Sequence, residues 1–460
     1  MLSFENINKF NLKYWLLYHY VNFVHNYVYY QRYHVLHKER IPHGEPVVAI
    51  SNHQNGLTDA LGILFAFRKD GRWVIFIARA DIFRRKIAAV LLRWLRIMPA
   101  FRSIDVSKEK EEEGGLNDNE LIFTQSAQVL VEKGVVCLFP EAGHEDCHHL
   151  GTFKKGFARI AFKAAELTDF KQRIHIQPMS NHYSNYFGVQ NKMVITVGEP
   201  FTFEDLYDTY KEHPQRAQKI LADRAREKVK ALMLDIEDKS LYEEYDIIRN
   251  MYDRAYLHKQ KKSTLYFPNF LAADQKIVAA LDQLRSDDAD KFSTLMKYAG
   301  EYSRLLDKLY LRDWIFRQKL TFGSFLFHCL LAILVLPFML YGFVFNALPF
   351  YTSTLVTRRI KDQMLHSSFH FVIGALFVFP LWYIALFITA WCQTGTWWMA
   401  LAFLVTLPIS LIIYTHSKIA IGRQFNRFRR FKFWFRGDRF YRRARELRAE
   451  IVKIMEQILP

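Results

Sequence analysis

Two stretches without a charged side chain limit what this chain can fold into. No Asp, Glu, Lys or Arg occurs over residues 320–357, and none over residues 363–417. Elsewhere charge is frequent, at 24% of all 460 residues. Inside the two windows lie apolar runs at 325–345, 369–390 and 397–414. Each approaches the roughly 20 residues that carry a helix through bilayer hydrocarbon. Pro337, Pro380 and Pro408 stand within or beside these runs, where membrane helices tolerate proline. Trp382, Trp391, Trp397 and Trp398 suit a membrane–water interface. The alternative, a buried soluble helical core, fits the run lengths less well.

The charges around the windows bear on sidedness. Arg312, Arg317 and Lys319 precede the first run, and Arg358, Arg359 and Lys361 separate the windows. The tail from Lys418 to Pro460 holds 13 Lys/Arg against 4 Asp/Glu, a net +9 of the total +17. The positive-inside tendency draws all three groups to the cytoplasmic side. Three simple spans alternate sides and cannot satisfy it. The expected solution is a helical hairpin of 369–390 with 397–414, turning at Gln393-Thr394-Gly395-Thr396. The first run would then be re-entrant, bending near Pro337 or at Tyr341-Gly342. The tail segment Arg427-Phe428-Arg429-Arg430-Phe431-Lys432-Phe433-Trp434-Phe435-Arg436 interleaves bases and aromatics, a pattern shared with single-strand RNA binders. It starts close to a membrane run, so docking on anionic lipid is the simpler reading. Anionic membrane lipids are expected partners and nucleic acid is not.

The rest of the chain is of a different kind. A hydrophobic share of 51% excludes wholesale disorder, and four unpatterned cysteines exclude a disulfide scaffold. Residues 1–10 contain acids and polar groups and do not read as a cleaved signal peptide. Residues 14–33 are crowded with Tyr, Trp, Phe and His, with Arg32 their one charge. They read as an interfacial helix, with packing on their own domain as the alternative. Over residues 44–200, apolar runs at 47–50, 73–78, 135–139, 174–176 and 193–197 predict buried strands. Helical stretches at 81–95, 119–133 and 154–167 separate them. That alternation predicts an α/β sheet covered by helices. Residues 202–319 read as polar and helical. The predicted organisation is an N-terminal interfacial helix (1–40), an α/β domain (41–201), a helical region (202–319), a membrane region with two to three hydrophobic segments (320–417) and a basic cytoplasmic tail (418–460).

Two segments carry chemistry. Ser51-Asn52-His53-Gln54-Asn55-Gly56-Leu57-Thr58-Asp59 follows a buried strand, and α/β proteins place functional groups at such strand ends. A histidine can accept a hydroxyl proton near neutral pH, and a carboxylate on its other nitrogen fixes the tautomer. His53 and Asp59 read as base and orienter, against a histidine that merely satisfies a turn. The second segment is Leu138-Phe139-Pro140-Glu141-Ala142-Gly143-His144, continuing to Thr152-Phe153-Lys154-Lys155-Gly156. Lysines and backbone amides at the helix start suit an anionic ligand, against a solvated helix face. Glu145-Asp146-Cys147-His148-His149, even with His144, lacks the common zinc spacing. It reads as a polar loop, and neither a metal nor a bound cofactor is expected. The charged stretch 105–119 reads as an exposed loop, a linker rather than a lid.

In this order and spacing, the motifs resemble the glycerolipid acyltransferase family. Its members transfer an acyl group from a coenzyme A or acyl-carrier-protein thioester to a glycerol phosphate hydroxyl. Asn52-His53 with Asp59 is similar to the first family motif, although five residues intervene instead of the usual four. That spacing resembles the branch of fungal-type glycerol-3-phosphate and dihydroxyacetone-phosphate acyltransferases. Met98-Pro99-Ala100-Phe101-Arg102 resembles the second motif and Phe139-Pro140-Glu141 with Phe153-Lys154-Lys155-Gly156 the third. Ile176-Gln177-Pro178, read as a strand ending in proline, resembles the fourth, and Gly198-Glu199-Pro200 a later Gly-x-Pro. The resemblance implies His53 and Asp59 as catalytic residues. It implies Arg102, Glu141, Gly143, His144, Lys154 and Lys155 as substrate-binding residues, with Glu141 positioning the acceptor. His144 stands where the family usually has arginine, and Ala142 where it has glycine. The implied function is a membrane-bound O-acyltransferase of phospholipid synthesis, acting on glycerol-3-phosphate or 1-acylglycerol-3-phosphate. Acylation of another lysolipid or lipid hydroxyl, or a non-catalytic membrane scaffold, is the alternative.

Overall fold

The structure, a computed structural model, describes residues 10–67, 71–79, 83, 92, 95–100, 115–141, 143, 147–186, 189–318 and 321–459. The chain divides into two compact units. The first comprises residues 1–146, 150–187 and 191–233, the second residues 147–149, 188–190 and 234–460.

The first unit is built on seven strands: β1 (Tyr30–Leu36), β2 (Val47–Ser51), β3 (Val74–Arg79), β4 (Ile97–Ala100), β5 (Val135–Leu138), β6 (His175–Tyr183) and β7 (Asn191–Val197). Their order across the sheet is β1-β7-β6-β2-β5-β3-β4. All neighbours are parallel except β6 and β7. The central strand β2 shows why. Val47, Val48, Ala49 and Ile50 are all fully buried, the unbroken apolar run of a strand covered on both faces. Ala49 lies between Cys137 and Gln177, so β2, β5 and β6 end on one edge of the sheet.

Helices cover the sheet: α1 (Leu12–Phe23), α2 (Leu57–Ala66), α3 (Gly115–Val131), α4 (Gly156–Leu167), α5 (Tyr207–Glu212) and α6 (Pro214–Lys230). Phe157 and Phe162 of α4 and Leu221 and Val229 of α6 share one core with Val48, Ile50 and Val136. At roughly 1.5–3 kcal/mol per fully buried large apolar side chain, this core holds the sheet edge that carries the functional loops. α2 crosses β7 through Gly62, where an added Cβ would sit 2.1 Å from the Met193 side chain.

Three sequence readings change here. The interfacial helix expected over residues 14–33 ends earlier: α1 continues as one π-helical turn (Val24–Tyr29), and Tyr30 opens edge strand β1, paired with β7. Tyr14 and Tyr18 of α1 pack edge-on against Trp73 at 5.0 and 5.7 Å, while Trp15, Leu16, Tyr20 and Phe23 face outward. Strand β4, at the other edge, is not among the five apolar runs read as strands. β6 does not end at Pro178 but runs five residues further, to Tyr183. The helix expected over 81–95 lies almost wholly outside the described residues; of the loop expected over 105–119, residues 105–114 lie outside them and residues 115–119 open α3 instead.

The second unit is helical. α7 (Tyr242–Lys259), α8 (Pro268–Asp287), α9 (Ala289–Leu309) and the C-terminal α14 (Arg439–Ile458) bury Tyr245, Tyr252, Leu281, Leu295, Tyr302 and Ile451. Asp313 knits them together: it accepts from Tyr302 Oη at 2.9 Å and pairs with Arg317 at 3.1 Å and Arg448 at 2.8 Å.

Three helices here are long and apolar enough to cross a membrane: α10 (Phe322–Thr357), the run His366–Thr394 that contains α11 (His366–Ile373) and α12 (Phe379–Thr394), and α13 (Trp397–Phe435). The expected turn is present: Gly395, at φ 65°, ends α12, and α13 starts two residues on. α10 is not straight. Gly342 lies against Ser410 of α13, Phe325 stacks on Phe431, and Gln424 donates to Phe325 O. That pairing is antiparallel, so a straight α10 would carry Phe350 away from Lys418, to about 24 Å along the axis at 1.5 Å per residue. Instead Lys418 Nζ sits 5.7 Å from the Phe350 ring and 5.5 Å from that of Tyr351. α10 therefore bends between Gly342 and Phe350, and Pro349 lies in that stretch. Proline has no N–H for the carbonyl four residues back, and Phe345 O takes a 2.8 Å bond from Trp382 Nε1 instead. Of the two places expected for the bend, it falls past Pro337, in the stretch that opens at Gly342.

Candidate active site

The site lies where β2, β5 and β6 end. His53 stands two residues past β2, and Asp59 in the first turn of α2. Gly56 makes the five-residue spacing workable. Its φ of 53° with ψ of −127° is a conformation glycine adopts readily and other residues rarely do. The chain turns back there and brings the Asp59 carboxylate to His53 Nδ1 at 2.9 Å.

Asp59 is fully buried, while the His53 side chain keeps 22% of its surface. Besides His53, Asp59 Oδ2 accepts the amides of Gln54 at 2.8 Å and Asn55 at 2.7 Å. Asp59 Oδ1 accepts Tyr183 Oη at 2.5 Å. Four donors converging on one buried carboxyl suit its ionised form. A carboxylate facing Nδ1 requires the proton on that nitrogen, which leaves the lone pair on Nε2. The imidazole also stacks on Phe139, ring centres 4.3 Å apart and planes 19° from parallel. The ring is thus fixed by its edge and by its face.

Glu141 bridges two loops. Its Oε1 accepts the His53 amide at 2.7 Å and its Oε2 the Gly151 amide at 2.8 Å. It ties the loop after β2 to the loop after β5. Burial pushes its carboxyl up to about 7, against the pull of those two amides. The approach at Gly151 is close, since a Cβ there would lie 3.2 Å from Glu141 Oε2. The same loop is closed by Lys154 N to Pro140 O at 2.8 Å, and by Arg226 of α6, which donates to Gly151 O at 3.0 Å and Leu150 O at 2.9 Å.

Lys154 and Lys155 precede α4, where Lys155 Nζ reaches Gln215 Oε1 at 3.1 Å. Gly143 is exposed. Arg102 and His144 lie outside the described residues. Among the described residues no cluster of three or more His, Cys, Asp or Glu could hold a metal ion.

Sequence reasoning missed the support on β6. Asn52 and Asn181 interlock: Asn181 N donates to Asn52 Oδ1 at 2.7 Å, and Asn52 Nδ2 to Asn181 O at 3.0 Å. Gln177, Ser180, Asn181 and His182, in a strand buried from Ile176 onward, were the available signal, because buried polar side chains need partners.

Residues 32–181 match the model of the Acyltransferase family. They form an acyltransferase domain. It contains His53, Asp59 and Glu141, and reaches to Asn181. The chain is 23% identical over 250 residues to glycerol-3-phosphate O-acyltransferase 2 of Saccharomyces cerevisiae, covering 54% of this chain. It spans about a third (32%) of that relative's length. Among solved structures, the 1-acyl-sn-glycerophosphate (LPA) acyltransferase of Thermotoga maritima is 16% identical. That match covers 47% of this chain and 80% of the other, at a TM-score of 0.31.

Proposed function

We propose that the protein is a membrane-bound O-acyltransferase of phospholipid synthesis. It moves an acyl chain from a thioester donor, acyl-coenzyme A or acyl-carrier protein, to the hydroxyl of glycerol-3-phosphate or 1-acylglycerol-3-phosphate. The observation that carries this is the His53–Asp59 pair, with Asp59 fully buried and Nδ1 engaged at 2.9 Å, inside the acyltransferase domain. His53 Nε2 takes the proton of the acceptor hydroxyl as its oxygen attacks the thioester carbonyl carbon. Asp59 holds the imidazolium that forms. The carbon–sulfur bond then breaks, the thiolate takes the proton back from Nε2, and an ester and a free thiol leave. Lys154 and Lys155, with Arg102 and His144, are the candidate cations for the acceptor phosphate.

Membrane residence is part of the reading, since the acylated product partitions into lipid. Three apolar helices and the outward Trp15, Leu16, Tyr20 and Phe23 of α1 support it. The bend in α10 supports a re-entrant first segment. Arg427 Nε meets Gln318 Oε1 at 3.1 Å, and Lys418 lies by Phe350 and Tyr351. The basic groups before α10, after it and in the tail then share one side. We place the acyltransferase domain and the tail on the cytoplasmic side, against anionic lipid.

The test uses purified full-length protein, labelled palmitoyl-coenzyme A and a panel of acceptors. Ester should form with a glycerol phosphate, and His53→Ala should abolish it. Full activity in His53→Ala would end the mechanism. Acylation only of a lysolipid other than 1-acylglycerol-3-phosphate would move the acceptor assignment to that class.

A further inference from the structure

Asp59 presents two oxygens to the site, and they are used unequally. Oδ2 takes His53 Nδ1, Gln54 N and Asn55 N. Oδ1 takes Tyr183 Oη, at 2.5 Å. Both residues are buried, Asp59 fully and Tyr183 to 3% exposure. Tyr183 is the last residue of β6, beside β2 in the sheet, and its backbone is held opposite Met193 of β7. Its hydroxyl therefore arrives from a rigid strand and not from the mobile side of a loop. Burial and the Asp59 charge raise its phenol well above the ordinary range, so it keeps its proton and donates.

We infer that Tyr183 is a positioning residue for the reaction: it fixes which Asp59 oxygen faces His53 and how much of the carboxylate's charge His53 meets. Without that donor Oδ1 would be a buried anionic oxygen with its bond unmade, and the carboxyl group would gain freedom to rotate about its last bond. With it, one lobe of the charge is spent on the phenol, and the imidazolium meets the remainder. The titratable groups facing the pair are Glu141 from the loop after β5, Tyr183 from β6 and Tyr30 from β1. Tyr183 is not among the groups that shift Glu141, but it also meets Tyr30 and Thr58, so the pH profile, and not kcat alone, reads its effect on the pair. This inference rests on the reading of His53 as the base.

The experiment compares full-length wild type, Tyr183→Phe, Tyr33→Phe and His53→Ala. Each is assayed from pH 5 to 9 with labelled palmitoyl-coenzyme A and the glycerol phosphate found to be acylated. Tyr33 donates to Gly62 O of α2 at 2.6 Å and is a matched loss of one hydroxyl on the same helix. Tyr183→Phe should lower kcat about 10- to 100-fold with acceptor KM unchanged. Its acid limb should move up by about 0.5–1 in pH, because undiluted Asp59 charge holds the imidazolium longer. Tyr33→Phe should move neither. Placing 3-fluorotyrosine at position 183 keeps shape and hydroxyl but donates more strongly, so its limb should move down. That arm decides the matter if Tyr183→Phe does not fold. Wild-type kcat and limb in both position-183 variants, with His53→Ala inactive, would overturn the role of Tyr183 alone. Full activity in His53→Ala would overturn the base itself.

Discussion

Asp59 in the acyltransferase domain and Asn346 in the apolar helices are both fully buried polar side chains, and they are used in opposite ways. Asn346 closes on its neighbours. Its amide donates to Ser410 Oγ at 2.9 Å and Gly342 O at 2.9 Å, and its oxygen accepts Tyr383 Oη at 2.7 Å. Every bond holds one helix to another or to itself. Asp59 collects four donors, but one of them is a ring that reaches solvent. A closed polar knot adds cohesion where apolar packing against lipid supplies little. An open one stores orientation for a reacting group. The number of hydrogen bonds does not tell the two apart; the exposure of the last partner does.

The comparison can be broken from either side. The largest effect is expected at Asp59: Asp59→Asn should lower kcat about 10³- to 10⁴-fold, because the amide favours the wrong imidazole tautomer. Thermal unfolding should show the fold retained. Next comes Glu141→Gln, where an amide nitrogen replaces one of two accepting oxygens. A fall in kcat of about 10–100-fold is expected with little change in acceptor KM. A KM effect alone would return Glu141 to acceptor binding.

Glu141 also gives a pH signature. Its carboxyl rises to about 7 in the fold from an ordinary 4.5. Between these values the folded chain binds a proton that the unfolded chain has lost, so stability falls as pH rises through that window. The melting temperature of wild type relative to Glu141→Gln should therefore decline from pH 5 to pH 7. A flat difference would mean the carboxyl is less buried than its two amide bonds suggest. Smaller still, Lys154→Ala should raise acceptor KM several-fold with kcat unchanged, read from initial rates. Asn346→Ala should leave both rate constants alone and cost about 1 kcal/mol of helix association, measured by denaturant titration in micelles.

Much of this site was legible in the chain, and the reasons separate by distance. His53 and Asp59 were readable because six positions separate them and a strand–turn–helix pattern surrounds them. Glu141 was located by its motif, but its two partners were not. Both its partners are backbone amides, which a sequence does not display as recognition groups. Tyr183 was invisible because it meets Asp59 across 124 positions. Strand β1 was missed for another reason. Its Tyr and His side chains look interfacial, and only its pairing with β7 makes it a strand. The three apolar runs and the Gly395 turn were plain in the charge pattern. The site of the α10 bend was not, because Pro337 and Pro349 both lie in that helix and their surroundings decide which one yields.

The helix Trp397–Phe435 has one more consequence. It runs without interruption for 39 residues, from the apolar run into the basic tail. At 1.5 Å per residue it is about 58 Å long, nearly twice a bilayer's hydrocarbon thickness. Its arginines are therefore clocked to its apolar stretch: one inserted residue at Lys418 would turn them by about 100° and raise them 1.5 Å. Arg430, which reaches Tyr441 Oη at 3.1 Å and Gln318 O at 2.8 Å, would then point elsewhere, though no residue of the tail had been replaced. In this helix rotational phase, as much as composition, is what the sequence has to keep.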